Sequence, residues 1–200
     1  FSKMIKQKEE VGQMVKLSYT LLIVPAIIIA ISSVYYNQEI MAALYKSNTE
    51  HSSGILGILM IGFVGIATTY IFGTLLTANG SLKYLNIMAF SGMVLNVVLN
   101  LILIPRYHAF GSAYASLTTQ IFTAAIQVVL VIVIFKMKPE IKFIIQLLMF
   151  VGIVVVFGTV SKSFDNWFYG YLAMISISIL FAFFLKLFSL KDLYQIIRYK

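Results

Sequence analysis

The sequence predicts an all-α, polytopic membrane protein with six transmembrane helices and an amphipathic basic segment at each end. Three observations carry that expectation. The 200 residues are 60% hydrophobic and 11% charged, with a mean hydropathy of +0.95, more apolar surface than a soluble domain of this length can bury. The apolar residues fall into separate runs, each near the roughly 20 residues that a helix needs to cross the bilayer core. The lysines and arginines gather in alternate connections between those runs.

Residues 1–16 interleave Lys3, Lys6, Lys8 and Lys16 with Met4, Ile5, Val11, Met14 and Val15 at helical spacing, which predicts a basic amphipathic segment at the membrane surface or a solvated linker helix. Leu17 to Tyr36 is the first span, with Pro25 expected to kink it or loosen its hydrogen bonding, and Tyr35 and Tyr36 in the interfacial aromatic belt. Asn37 to Ser53, with Glu39, Lys46, Glu50 and His51, reads as an exposed loop. Gly54 to Ala78 is the second span. Within it Gly65, Thr69, Gly73 and Thr77 recur every fourth residue as a strip of small side chains, with Tyr70 beside it.

Asn79-Gly80 signals a turn. Tyr84 to Ile104 is the third span, and Ala109 or Phe110 to Phe135 the fourth. Pro105, lacking an amide hydrogen, is expected to end the third span, and Gly111 to reopen the chain. Asn96 and Asn100 lie one turn apart, Gly92 extends their face, and Gly111, Ala115, Thr119 and Thr123 form a second small-residue strip. A basic loop around Pro139 leads to the fifth span, Lys142 or Phe143 to Val160. A polar turn from Ser161 to Asn166 precedes the sixth, Trp167 to Phe188, which opens on Trp167, Phe168, Tyr169 and Tyr171. The tail from Leu190 to Lys200 is again amphipathic and basic. The chain thus divides into an amphipathic segment at 1–16, four helices at 17–135, and two further helices with a tail at 136–200.

Twelve of the 15 basic residues fall on the side of the N-terminal segment, against Lys46, Arg106 and Lys162 on the other. By the positive-inside rule both ends are expected to be cytoplasmic, and the net charge of +8 is accounted for without nucleic acid. No carboxylate lies inside a span and there is no cysteine, so neither an enzyme nor a metal or other cofactor is expected. His51 and His108 sit in or beside loops without converging ligands. The amides Asn96, Asn100, Gln120, Gln127 and Gln146 are costly in hydrocarbon unless paired. They predict either interhelical hydrogen bonds or the wall of a wet cavity. Lys83 and Arg106 are the charges nearest bilayer depth, as snorkelling anchors or as contacts to a passing headgroup. The candidates for a polar path are therefore Asn96, Asn100, Lys83, Arg106, Gln120 and Tyr70. Those for close helix packing are Gly65, Thr69, Gly73, Gly111, Ala115 and Thr119.

The run from Asn96 to Gln120 resembles the second-half signature of polysaccharide-export flippases of the Wzx type, in the MOP exporter superfamily. Asn96 and Asn100 match the Asn-rich helix end, Ile104-Pro105-Arg106-Tyr107 the turn, and Gly111, Ala113, Ala115 and Ser116 the opening of the next helix. Leu75 to Gly80 with Lys83 is similar to the family's helix end upstream, and Pro25 also matches. One departure is His108, where the family more often has glycine straight after the tyrosine. The resemblance implies the C-terminal part of a fourteen-helix transporter. Phe1 as the first residue fits a fragment, and the missing N-terminal lobe would be its partner. It further implies a bacterial cytoplasmic membrane, with membrane lipids around the chain. The activity implied is rocker-switch movement of an undecaprenyl-diphosphate-linked oligosaccharide between leaflets, driven by a cation gradient or the membrane potential. A small-molecule exporter of the same superfamily, or a scaffold subunit of a glycan-synthesis complex, are the other expectations.

Overall fold

A computed structural model describes residues 1, 5, 11–45 and 49–187, and they are helical wherever they are regular. Helix α1 is Gly12–Tyr35, α2 is Asn37–Leu44 and α3 is Thr49–Ala78. The next helical stretch, Leu82–Phe135, has 54 residues and would span about 80 Å if straight, far beyond a hydrocarbon core of about 30 Å. It is not straight, because His108 (φ 51, ψ −125) interrupts it. Asn96 touches Thr119, and Gly92 meets Thr123, so the chain doubles back about residue 108 as an antiparallel hairpin of α4 (82–107) and α5 (109–135). Helices α6, Ile141–Ser161, and α7, Trp167–Phe184, complete the described chain. Among the described residues five helical stretches, counting Leu82–Phe135 as one, are long and apolar enough to cross a membrane.

Helix α1 is the hub. Ile23, Val24, Ala26, Ile27, Ile28 and Ala30 are all buried, positions that cover more than half of the helix circumference, while Pro25 and Ile29 face outward, so neighbours enclose the helix on several sides. One core cluster joins it to Ala67 of α3, Phe150 and Val154 of α6, and Met174 and Ala182 of α7. A second joins Val11 and Val15 to Ile71, Leu75 and Leu76 of α3 and Val131 of α5. Helix α4 is the outermost, with Phe90, Met93, Val97 and Leu101 exposed, Leu101 at 72%. In a membrane such a face meets lipid without penalty.

The chain departs from several sequence expectations. Asn37 to Ser53 is not a plain loop. Tyr36 (φ −113, ψ 24) bends the chain at a single residue, α2 follows at once, and α3 starts at Thr49. Polar side chains here mark helix ends beyond the hydrocarbon, and Glu39 and Glu50 in the first turns suit the helix dipoles. Pro105 does not end α4. One missing amide hydrogen near a helix end is tolerated, and the break comes at His108. Helix α1 begins at Gly12, ahead of Leu17, and ends at Tyr35, one residue short of Tyr36. The last span closes at Phe184, short of Phe188. Lys186 turns left-handed (φ 54), and the Lys186 and Leu187 amides donate to Phe183 O and Ala182 O. Phe188, the basic tail, and Lys3, Lys6, Lys8 and Lys46 lie outside the described residues.

Other expectations hold. Gly80 (φ 76) closes α3 in a left-handed turn, with the Gly80 and Ser81 amides donating to Thr77 O and Leu76 O, both at 3.0 Å. The polar turn at 161–166 ends on Asn166, whose side chain caps α7 by accepting from the Phe168 amide at 2.9 Å.

Candidate functional site

The α4–α5 hairpin is stapled by amide and hydroxyl groups. Asn96 Nδ2 donates to Thr119 Oγ1 (3.3 Å), whose own proton goes to Ala115 O (2.8 Å). Asn100 Nδ2 donates to both Asn96 O and Asn96 Oδ1, each at 2.9 Å. Asn96 and Asn100 therefore work as a unit between the two arms. At the bend Gly111 lies against the Leu103 backbone, while Ala115, fully buried, keeps the arms close one turn on. Arg106 is exposed near this bend, and Lys83 is exposed at the opposite end of α4.

His108 carries the dihedrals of the first central residue of a type II′ turn, a position that favours glycine. Its side chain is exposed. A His108→Gly change is expected to raise stability by about 1 kcal/mol, because it relieves a positive φ and loses no packing. Equal or lower stability in a denaturation titration of the variant would contradict that.

The α3–α5 contact is a row of glycines receiving glutamines. A Cβ on Gly62 would fall 2.2 Å from Gln120 Oε1, one on Gly65 3.1 Å from Gln120 O, and one on Gly73 3.2 Å from Gln127 Oε1. The residue pairs 62/120 and 73/127 ascend together, so α3 and α5 run parallel. The side-chain oxygens of Gln120, Gln127 and Asn100 are buried without a hydrogen-bond partner among the described residues.

The threonines of the α3 strip face elsewhere. Thr69, Tyr70, Gly73, Thr74, Thr77 and Ala78 line an open groove of about 550 Å³. Thr69 donates to Ile66 O (2.8 Å), Thr74 to Tyr70 O (2.6 Å) and Thr77 to Gly73 O (2.8 Å). Tyr70 is 69% exposed there. The every-fourth-residue pattern pointed to Thr69, Gly73 and Thr77 but passed over Thr74. The signal for it was the neighbouring row that starts at Tyr70.

A second cavity, of about 500 Å³, is apolar and lies between α1, α3, α5 and α6, with Ile27, Gly65, Ala124 and Val151 among its walls. Its Tyr19 hydroxyl donates to Thr68 Oγ1 (3.3 Å), because the Thr68 proton is committed to Val64 O. Helix α6 is held to α1 and α2 at both ends. Lys16 pairs with Glu140 at one end and Lys162 with Glu39 at the other. Lys162 Nζ also lies 4.3 Å from the Tyr36 ring centroid, and the Tyr36 hydroxyl donates to Ser161 Oγ at 2.9 Å.

Connectivity and these contacts place Lys16, Lys83, Lys136, Lys138, Lys142 and Lys186 at one end of the bundle, and Arg106 and Lys162 at the other. Among the described residues no three His, Cys, Asp or Glu side chains converge. Set against known protein families, curated proteins and solved structures, the chain matches none of them.

Proposed function

We propose that this chain forms one wall of a polar passage through which a lipid-linked oligosaccharide crosses a bacterial cytoplasmic membrane. One observation carries the reading. Helix α3 is apolar enough to span the bilayer, yet its Thr69, Tyr70, Thr74 and Thr77 line an open groove whose walls come from α3 alone. Hydroxyls on a lipid-facing surface gain nothing, whereas along a wet passage they meet a polar cargo. In this reading each hairpin arm is a separate span, so six helices cross. The lysine-rich end faces the cytosol, where anionic lipid attracts it. The apolar outer face of α4 meets lipid, and the lobe that closes the passage comes from elsewhere in the transporter. The Asn96 to Gln120 signature supports the flippase kinship, with movement by alternating access.

The chain has no cysteine, so an introduced one is its sole thiol. With Thr74→Cys, a charged methanethiosulfonate reagent should react at least about tenfold faster than with Val97→Cys on the exposed apolar face of α4. Equal rates would dismiss the wet passage. Loss of surface polysaccharide on deletion of the gene, restored by the full-length protein, tests the cargo. Unchanged polysaccharide with altered efflux of cationic dyes would point to a small-molecule exporter instead.

A further inference from the structure

We infer that the apolar cavity among α1, α3, α5 and α6 is a binding site for one anionic phospholipid, with an acyl chain in the cavity and the headgroup on the lysines at its cytosolic end. The inference rests on the proposed cytosolic placement of those lysines and is independent of the cargo. Among the described residues α5 packs on α3, and α6 on α1 and α7, while α5 and α6 have no packed contact with each other. The cavity is therefore a slot with α1 and α3 as its floor and α5 and α6 as its flanks. Ile121 and Ala125 of α5 are exposed at its rim. On α3 the slot takes Val64 and Thr68, whereas the threonine groove takes Tyr70, Thr74 and Thr77, nearly the opposite side of the helix. The slot thus opens toward the bilayer and away from the passage.

Hydrocarbon is what such a slot accepts. Its lining carries no charge, and its two hydroxyls are engaged, Tyr19 with Thr68 and Thr68 with Val64 O. It follows α1 from Tyr19 to Ile31, about 18 Å, close to the roughly 15 Å depth of one leaflet. The walls of an apolar cavity are short of dispersion contacts, and in a bilayer the atoms at hand to supply them are those of acyl chains. The mouth then selects among lipids by charge. The connection from α5 to α6 crosses the cytosolic end of the slot, because it joins the two flanks. With the first turn of α6 it carries Lys136, Lys138 and Lys142, all exposed. Lys16 stands one turn beyond Tyr19, its Nζ 5.4 Å from the centroid of the Phe143 ring and paired with Glu140. Among the described residues four lysines meet one carboxylate here, a positive balance that suits a phosphate headgroup.

The test is native mass spectrometry of the full-length protein with dioleoyl phosphatidylglycerol and dioleoyl phosphatidylcholine, probes equal in their chains and different in charge. Phosphatidylglycerol should bind at least about tenfold more tightly. Lys138→Gln with Lys142→Gln should bring the two lipids to within about twofold of each other. Ala125→Trp, which fills the slot from its exposed rim, should weaken both lipids at least about tenfold, and Val97→Trp on the outer face of α4 should weaken neither. A phosphatidylglycerol with a diazirine in its acyl chain, applied to the wild type, should label residues 121–128 and 147–151. Equal binding of the two lipids by the wild type overturns the inference, as does a preference that survives both lysine changes. So does labelling that favours the outer face of α4, or an Ala125→Trp loss no larger than that of Val97→Trp. Displacement of the phosphatidylglycerol by equimolar polyprenyl phosphate would assign the slot to the tail of the cargo and overturn it too. Unchanged surface polysaccharide on deletion of the gene would remove the flippase reading and leave this one standing.

Discussion

A Gly111→Ala variant is expected to lose about 3 kcal/mol of stability, at the upper end of what an overpacked site costs. The new methyl would sit 2.4 Å from Leu103 O, 2.5 Å from Leu103 C and 2.9 Å from Ile104 N. All three are backbone atoms and cannot rotate aside. To make room, the first turn of α5 must leave the last turns of α4, and with it goes the hairpin that aligns Asn96 with Thr119. Gly62→Ala is the control. Its methyl would come even closer to a neighbour, 2.2 Å, but that neighbour is the end of the flexible Gln120 side chain. The control should lose no more than about 1 kcal/mol, the cost of a rotamer adjustment. Unfolding of both variants in mixed micelles by SDS titration decides the matter. Similar losses would show that distance alone, and not the mobility of the obstructing group, sets the cost.

The second large effect is expected at Gly65. A Cβ there meets Gln120 O at 3.1 Å and Gln120 C and Cβ at 3.2 Å, so alanine asks for only a few tenths of an ångström. Leucine cannot be accommodated unless α5 moves off α3. Within a bilayer no hydrophobic drive pulls separated helices back together, because lipid solvates the freed faces equally well. Gly65→Leu should therefore cost about 3 kcal/mol and lower the efficiency of an engineered α3–α5 disulfide crosslink. A double-mutant cycle sharpens the expectation. Gln120→Ala should not rescue Gly65→Leu, since backbone and Cβ form that contact. The same Gln120→Ala should partly rescue Gly62→Leu, where the obstruction is the amide. Rescue of both, or of neither, would mean that the glycine row does not set the spacing of these helices.

Much of the architecture was already legible in the residues. Apolar runs of membrane-crossing length dictate helices, because a backbone in hydrocarbon must satisfy its own hydrogen bonds. Asn79-Gly80 marks a turn because glycine takes a positive φ without strain, and Gly80 does so here. The return of the chain between Asn96 and Thr119 was implied by the amide pair Asn96 and Asn100 on one side of a break and the small-residue strip from Gly111 to Thr123 on the other. The position of the break was not. Proline is the stronger breaker by rule, yet the left-handed residue is His108, because the geometry needed to fold α5 onto α4 falls there.

Composition and periodicity thus determined that the chain is helical, that its helices suit a membrane, and where its positive charge lies, since each follows from local chemistry. Tertiary structure decided the rest. It made α1 the hub, although its sequence is no more apolar than that of α3. It split the α3 strip, giving Gly65 and Gly73 to the contact with α5 and Thr69 and Thr77 to the groove. It brought Glu39 to Lys162, and Lys16 to Glu140, across more than a hundred residues of chain. Helical spacing tells which residues share a face, but a uniformly apolar helix has no unique buried face. Only the neighbouring helices settle which small residue meets backbone and which hydroxyl is left open.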